Sequence, residues 1–195
     1  FGVGYPEMSL GICAQAEVAQ SFELPTWGYA GCSDSKVLDA QAGLESGFSI
    51  ITQALAGLNL IHDVGYLDQA MVCSTAQLVL GNEAIGMARK FMKGIRIDEE
   101  SIARQVIEDI GPGGHYLAHK HTLDHCREAV WGSKLLAREP YELWKEKGEK
   151  DMAERIQERL ADILENHKVA ALEEKVLNKI IAIREAGVKE LTSKQ

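Results

Sequence analysis

Apolar positions along the chain follow two periods, which predict helices separated by short strands. The helix predicted over 37–56 has the clearest pattern, because its apolar residues are spaced four, three and four positions apart and so share one face. These residues are Leu44, Phe48, Ile51 and Leu55. Similar stripes predict helices over 7–23 and 66–92. Short apolar runs near 25–30 and 58–63 predict strands, and the second run is typical of a buried parallel strand.

The second half of the chain is predicted to be nearly all helical. An acidic first turn indicates a helix over 97–110, which the glycine-rich turn at 111–114 ends. A short strand is expected at 115–118, and Thr122 is expected to cap a helix that reaches about residue 136. From Pro140 onward, two apolar stripes predict a charge-rich helical hairpin whose charged side chains form a solvated face.

This order of elements predicts an α/β fold with two or three parallel strands. Two strand–helix units within about 70 residues are typical of a barrel or of a doubly wound sheet. A complete eight-stranded βα barrel needs about 250 residues, whereas this chain has 195. The sequence starts at Phe1 without an initiator methionine, so it is expected to be a fragment or a proteolysed product.

Composition excludes several classes of partner. The net charge of −8 argues against nucleic acid and against docking on anionic lipid, because both require a basic face. No apolar run approaches the roughly 20 residues of a transmembrane helix. The four cysteines show no paired spacing, which predicts a reducing, cytoplasmic location without disulfides.

The loop between the first strand and the helix over 37–56 concentrates reactive groups. Six of its eight positions carry a thiol, a hydroxyl, a carboxylate or an amine: Cys32, Ser33, Asp34, Ser35, Lys36 and Asp39. Ser33 or Asp34 alone could serve as a helix cap, but one cap does not explain six such groups. Since loops that follow strands often carry the chemistry of α/β folds, we predict a functional loop here.

Two further segments are expected at the same edge, because each follows a predicted strand. They are the connection from His62 to Asp68 and the segment around His115. Four nearby aromatic residues are candidates to face a quaternary ammonium through cation–π attraction; taken singly, each fits a core position better, but their clustering at predicted strand ends favours a shared site. They are Trp27, Tyr29, Tyr66 and Tyr116. Carboxylates nearby, at Asp34, Asp39, Asp63 and Asp68, would add negative charge around the same cation.

Four histidines and one cysteine lie close together in the sequence. They are His115, His119, His121, His125 and Cys126, and two pairs are separated by four residues, as in helical zinc sites. The glycine-rich lead-in argues against one helix through all four, and paired cysteines are missing. We therefore predict no metal site, and expect these histidines to be hydrogen-bonded supports, exposed side chains, or residues that face the active-site mouth.

Two motifs carry a resemblance to a known family. The run Ser33–Lys36 with Asp39, Gln41, Gly43 and Glu45 resembles the trimethylamine methyltransferase superfamily, and so does GPGGHYLAHKHTL at 111–123. Members of this superfamily are longer (β/α)8 barrels. The resemblance therefore implies that residues 1–138 are the C-terminal portion of a TIM-barrel catalytic domain, followed by a helical C-terminal extension at 139–195.

The resemblance also implies a reaction. Such enzymes move a methyl group from a methylated tertiary or quaternary amine, such as trimethylamine or glycine betaine, to the Co(I) corrinoid of a partner protein. The chain itself would bind no cofactor, and a homo-oligomer is possible. Some members use pyrrolysine, which would fall near Cys32–Asp34; since none is written here, the betaine-type branch is favoured.

The expected site combines polar and aromatic side chains. Asp34, Asp39, His62 and His115 are the expected catalytic groups, and the expected substrate-binding residues are Tyr29, Cys32, Ser33, Gln41, Glu45 and Tyr66. Two alternatives stay open: an inactive helical or scaffold fragment of such an enzyme, and a zinc-dependent hydrolase that uses the cluster from His115 to His125.

Overall fold

The structure is a computed structural model and describes residues 2–193. The chain forms two compact units, one up to Ala161 and one from Asp162 onward. The boundary predicted after residue 138 separates a catalytic portion from a helical extension. It does not describe packing units, and it stays a prediction.

The first unit begins with alternating helices and short strands. In order they are α1 (Pro6–Ser21), β1 (Trp27–Tyr29), α2 (Ala40–Leu55), β2 (Leu60–His62), β3 (Tyr66–Leu67), β4 (Val72–Cys73) and α3 (Thr75–Met92). The predicted helices over 7–23 and 37–56 are thereby confirmed, and so are the two strands near 25–30 and 58–63.

β1 and β2 form a parallel pair, as predicted. Trp27 lies opposite Leu60, and Tyr29 lies opposite His62. Side chains alternate along a strand, so these four residues share one face of the pair. Gly28 faces the other way, where a Cβ atom would overlap the side chains of α1 and α2. The helices therefore cover one face of the sheet, whereas on the aromatic face Trp27 is 70% and Leu60 is 51% exposed.

The predicted helix over 66–92 is wrong over its first nine residues. An antiparallel hairpin of β3 and β4 occupies this segment, with Tyr66 opposite Cys73 and Leu67 opposite Val72. Two of the expected two or three parallel strands are present as β1 and β2, whereas this antiparallel pair was not predicted. The hairpin turns through three consecutive residues with positive φ at positions 68–70. α3 begins only where the Ser74 side chain accepts a hydrogen bond from the backbone N–H of Gln77, at 3.2 Å.

Two apolar clusters hold the first unit together. The first centres on Ala30, Ile50 and Ala88, and so joins the end of β1 to α2 and α3. The second joins Ala76 of α3 to Leu135 and Ile156. Ile156 is fully buried, so this part of the predicted solvated tail contributes a core side chain.

The remaining elements are helices. They are α4 (Glu99–Ile102), α5 (Arg104–Ile110), α6 (Lys120–Ala129), α7 (Tyr141–Glu146), α8 (Met152–Asn166) and α9 (Glu174–Thr192). The predicted helix over 97–110 is interrupted at Ala103, which has a φ of 51°. The helical character predicted after Pro140 is confirmed. The second unit, from Asp162 onward, holds the end of α8 and all of α9.

Two predictions around residue 120 are wrong. Residues 115–118 form no strand; the chain turns at 117–118, and the described residues offer no neighbouring strand to this segment. The helix expected from Thr122 to about residue 136 begins at Lys120 and ends at Ala129, with His119 rather than Thr122 as its N-cap. Within residues 2–193, none of the helices combines the length and apolar composition that crossing a bilayer requires.

Candidate functional site

Two of the three predicted loops meet at the carboxyl edge of the parallel strands. The backbone N–H of Ser33 donates to the carbonyl of Tyr66 at 3.0 Å, and that of Asp68 donates to the carbonyl of Ser35 at 2.9 Å. The Lys36 ammonium also lies 3.5 Å from the Asp68 carboxylate. The loop at 31–39 and the connection after β2 thus form one continuous surface, as the convergence of parallel strand ends requires.

Glu45 of α2 organises the interior of the first loop. Its Oε2 accepts hydrogen bonds from the hydroxyl of Ser33 at 2.5 Å and from the backbone N–H of Asp34 at 2.8 Å. Its Oε1 accepts from the side-chain amide of Gln41 at 2.8 Å. Ser33 is fully buried and its hydroxyl accepts from the N–H of Ser35 at 2.9 Å. Ser33, Gln41 and Glu45 therefore all bond within the loop and its helix.

Asp39 is the cap of α2. Its carboxylate accepts from the backbone N–H of Ala42 at 2.9 Å, and this bond is the main reason why the pKa of Asp39 is lowered. The interpretation of Ser33 or Asp34 as the cap is therefore wrong. Asp39 is exposed at the rim of the loop, so capping does not prevent its carboxylate from facing a ligand.

An open cleft of about 630 Å³ lies against this loop. Its charged and amide side chains are Asp34, Lys36, Asp39, Gln41, Glu45 and Gln69. Lys36 pairs with Asp68, whereas the three carboxylates of the cleft form no ion pair with a cationic side chain among residues 2–193. The cleft therefore carries a net negative charge from this chain's own residues and suits a cationic ligand.

The segment before α1 forms the other wall of the cleft, which sequence analysis missed. Gly4, Tyr5 and Pro6 line it, and the backbone N–H of Gly4 donates to Oδ1 of Asp34 at 3.2 Å. A Cβ atom at Gly4 would overlap the Glu45 carboxylate, so a larger residue there would force this carboxylate to move. The two glycines near the start of the chain were the available signal, since glycine often marks close backbone contact.

The uncovered face of the β1–β2 pair carries an aromatic group of residues. The ring of His62 lies 5.4 Å from that of Trp27, edge to face, and 6.2 Å from that of Tyr29. His62 Nδ1 lies 2.7 Å from Oδ1 of Asp63, which fixes the ring orientation. Trp27 is 70% exposed, so its ring is open to a ligand. Burial is the main reason why the pKa of Tyr29 is raised, and its phenol stays neutral at ordinary pH.

Cys32 is placed differently from its predicted role in binding substrate. The residue is 1% exposed, and burial raises the pKa of its thiol to about 11. At neutral pH the thiol is therefore protonated and out of contact with solvent. Tyr66 is half-buried in β3, and its carbonyl accepts the hydrogen bond from the N–H of Ser33 described above, while its ring is in no aromatic pair among the described residues.

His115 is not brought to this edge by a strand. It is exposed, and within the described part of the chain it forms no hydrogen bond or ion pair with either loop. His119 caps α6, and His121 and His125 have ring centroids 4.5 Å apart beside Glu100 of α4. Across residues 2–193, no three side chains of the metal-binding types are grouped so that they could hold an ion.

Comparison with known proteins places the chain in a family. The family model of trimethylamine methyltransferases (MTTB) matches residues 1–188, so the chain belongs to the trimethylamine methyltransferase family. It is 36% identical over 178 residues to the trimethylamine methyltransferase MttB of Methanosarcina thermophila. It is also 36% identical over 182 residues to the glycine betaine methyltransferase of Desulfitobacterium hafniense (strain Y51).

The matches cover most of this chain but only part of each relative. The aligned residues are 90% of this chain and 36% of the Methanosarcina protein, and 92% and 38% for the Desulfitobacterium protein. The chain thus spans little more than a third of the length of these relatives.

Proposed function

We propose that this chain is the C-terminal portion of a (β/α)8-barrel enzyme that removes a methyl group from a methylated amine. The acceptor would be the Co(I) corrinoid of a partner protein, and the amine a tertiary or quaternary one such as trimethylamine or glycine betaine. The observation that carries the proposal is an acidic cleft against the loop that follows β1, together with an exposed aromatic face on the β1–β2 pair that leads into this loop.

The barrel assignment is supported by the orientation of the β1–β2 pair. Helices cover the Gly28 side, and the opposite face carries Trp27 at 70% and Leu60 at 51% exposure. In a parallel barrel the helices lie outside and the other face of each strand points inward. Further strands of a longer protein would therefore cover these apolar side chains and place Tyr29 and His62 at the mouth of the barrel.

The residues at this mouth suit a methylammonium group. Aromatic rings attract such a cation through their faces, and Tyr29, whose ring centroid lies 6.2 Å from that of His62, supplies such a ring. Asp34 adds a carboxylate that no cationic side chain neutralises among residues 2–193. His62, whose Nδ1–H is directed to the Asp63 carboxylate, presents Nε2 of the neutral ring as a hydrogen-bond acceptor.

The proposed reaction requires little acid–base catalysis from these groups. The corrinoid would supply the nucleophile, because amino-acid side chains attack such a methyl group poorly. A quaternary amine leaves as a neutral tertiary amine, so no proton has to be delivered to it. The residues of this chain would bind the cation, orient one methyl group and exclude water from it.

The betaine-type branch is favoured over the pyrrolysine-dependent one. The segment where pyrrolysine would fall carries Cys32, Ser33 and Asp34, of which the first two are fully buried. The zinc-dependent hydrolase alternative gains no support from the comparisons, since the relatives above are named as methyltransferases.

Substitution of Asp34 tests the proposal in the full-length enzyme with its corrinoid partner. Loss of one charge-assisted contact to the cation costs roughly 1.5–3 kcal/mol, so kcat/KM should fall about tenfold to somewhat more than a hundredfold in Asp34→Ala. Glu17→Ala, an exposed acidic position on α1, is the control and should behave as wild type. Unchanged methyl transfer in a folded Asp34→Ala enzyme would remove this loop from the site.

A further inference from the structure

The hydrogen bonds that shape the functional loop converge on one carboxylate. Glu45 lies on the second turn of α2, and its two oxygens accept from Ser33, Asp34 and Gln41 at distances between 2.5 and 2.8 Å. All three donors are neutral, and Glu45 forms no ion pair with a cationic side chain in the described part of the chain. Its acceptor capacity is thus directed mainly into the loop.

These bonds determine where the chain turns at Asp34. The N–H of Asp34 is held by Glu45, and the N–H of Ser35 by the hydroxyl of Ser33, which itself donates to Glu45. Two consecutive backbone amides are therefore oriented by one side chain, directly or through Ser33. The carboxylate of Asp34 consequently lies at the wall of the cleft, where it accepts from the N–H of Gly4.

The other side of the loop does not replace this restraint. Its bonds to the connection after β2 involve the N–H of Ser33 and the carbonyls of Gly31, Ser33 and Ser35, but not the N–H of Asp34. Without the Glu45 carboxylate, the buried hydroxyl of Ser33 and the N–H of Asp34 would both lose their acceptor. Restoring a partner for them requires the loop to move, and Asp34 moves with it.

We propose that Glu45 is a positioning residue, which holds the carboxylate of Asp34 in place for the cationic substrate rather than contacting that substrate itself. This inference rests on the proposed function, because Asp34 has to be part of the substrate site. It also separates Glu45 from Asp34 and Asp39, the other two carboxylates of the cleft, although all three lie within twelve positions of the sequence.

Two substitutions of Glu45 in the full-length enzyme test this role. In Glu45→Ala, KM for the quaternary amine should rise about tenfold or more, as in Asp34→Ala, with a smaller change in kcat. In Glu45→Gln, the side-chain carbonyl can still accept hydrogen bonds from Ser33 and Asp34. The Gln41 side chain can rotate so that its carbonyl oxygen accepts a hydrogen bond from the new NH₂ group. The Gln variant should therefore recover to within about threefold of wild type.

Coupling to Asp34 separates positioning from a general loss of stability. The double variant Asp34→Ala/Glu45→Ala should be no worse than Asp34→Ala alone, because both changes remove the same contact. Amide hydrogen exchange over residues 33–36 should accelerate in Glu45→Ala and stay near wild type in Glu45→Gln. Glu17→Ala serves again as the exposed acidic control.

Different failures identify different errors. An equal rise in KM in Glu45→Gln and Glu45→Ala would show that the charge of Glu45 contacts the substrate. Additive increases in KM in the double variant would show that Glu45 and Asp34 act independently. Either result overturns the positioning role. Impaired Asp34→Ala with normal Glu45→Ala overturns it too, but leaves the proposed function standing. Unchanged methyl transfer in Asp34→Ala would contradict the proposed function itself, and the positioning role with it.

Discussion

The aromatic face of the β1–β2 pair makes a quantitative prediction about Tyr29. This residue lies opposite His62 in the strand register, and the two ring centroids are 6.2 Å apart. Its backbone carbonyl is held by the side-chain amide of Gln53, which fixes the strand independently of the ring. Tyr29→Leu therefore removes the aromatic face and keeps an apolar side chain of comparable size.

The magnitude follows from the partial burial of Tyr29. A cation–π contact contributes about 0.5–1 kcal/mol at exposed sites and about 2 kcal/mol when desolvated. For a half-buried ring, loss of 0.5–2 kcal/mol corresponds to an increase of about 2-fold to 30-fold in KM for a quaternary amine. Since the amine loses its charge as the methyl group leaves, the ring attracts the substrate more than the transition state, and kcat should not fall.

Steady-state methyl transfer by the full-length enzyme, at several concentrations of a quaternary amine, measures both constants. Tyr29→Phe is the matched control, because it keeps the ring and removes only the hydroxyl, and its KM should stay within about twofold of wild type. The cation–π account would be refuted if Phe and Leu raised KM equally, or if Leu left KM unchanged in a folded enzyme.

Two further predictions concern the scaffold around the site. Gly28→Ala should lower the free energy of unfolding of the full-length enzyme by about 1–3 kcal/mol, because the added Cβ overlaps the Gln53 side chain; an unchanged denaturation midpoint would contradict this close approach. A thiol reagent should modify the exposed Cys73 at pH 8 and spare Cys32, since the pKa of the buried Cys32 thiol is raised to about 11. Because its folded-state pKa is raised, the Cys32 thiol favours the folded state below about pH 9, and this contribution is lost as the pH rises toward 11. Prompt labelling of Cys32 in the folded enzyme would contradict its burial.

The parts of the fold that were predicted correctly depend on local patterns. The apolar spacing from Leu44 to Leu55 determined α2, and the short runs before residues 30 and 63 determined β1 and β2. Their parallel pairing followed from the helix between them, because a strand–helix–strand unit returns the chain in the same direction. The meeting of the loops at 31–39 and 62–68 is a consequence of the same geometry.

The errors arose where partners distant in sequence decide the structure. The β3–β4 hairpin is held by Ser33 and Ser35 of the other loop, so the local helical pattern after Tyr66 was misleading. The strand expected at 115–118 has no neighbouring strand to pair with in the described part of the chain. Propensity gives way to tertiary hydrogen bonds in such short segments.

The candidate site was predictable in composition but not in arrangement. Asp34 and Asp39 were expected at one loop, and the structure adds that Asp39 also caps α2. The burial of Cys32 and the convergence of three donors on Glu45 are properties of packing, which a single sequence does not display. Tyr5 enters the cleft from a segment about thirty positions away from Asp34, so no local motif could join them.

Methyl transfer itself is the most direct test of the central claim. The full-length enzyme, its corrinoid partner reduced to Co(I), and either glycine betaine or trimethylamine should be mixed, and the methylated corrinoid followed by its absorbance. We expect methylation of the corrinoid with release of one molecule of demethylated amine for each methyl group transferred, and faster transfer from the betaine. An enzyme that is folded and binds its partner, yet transfers no methyl group from any tertiary or quaternary methylated amine, would contradict the assignment.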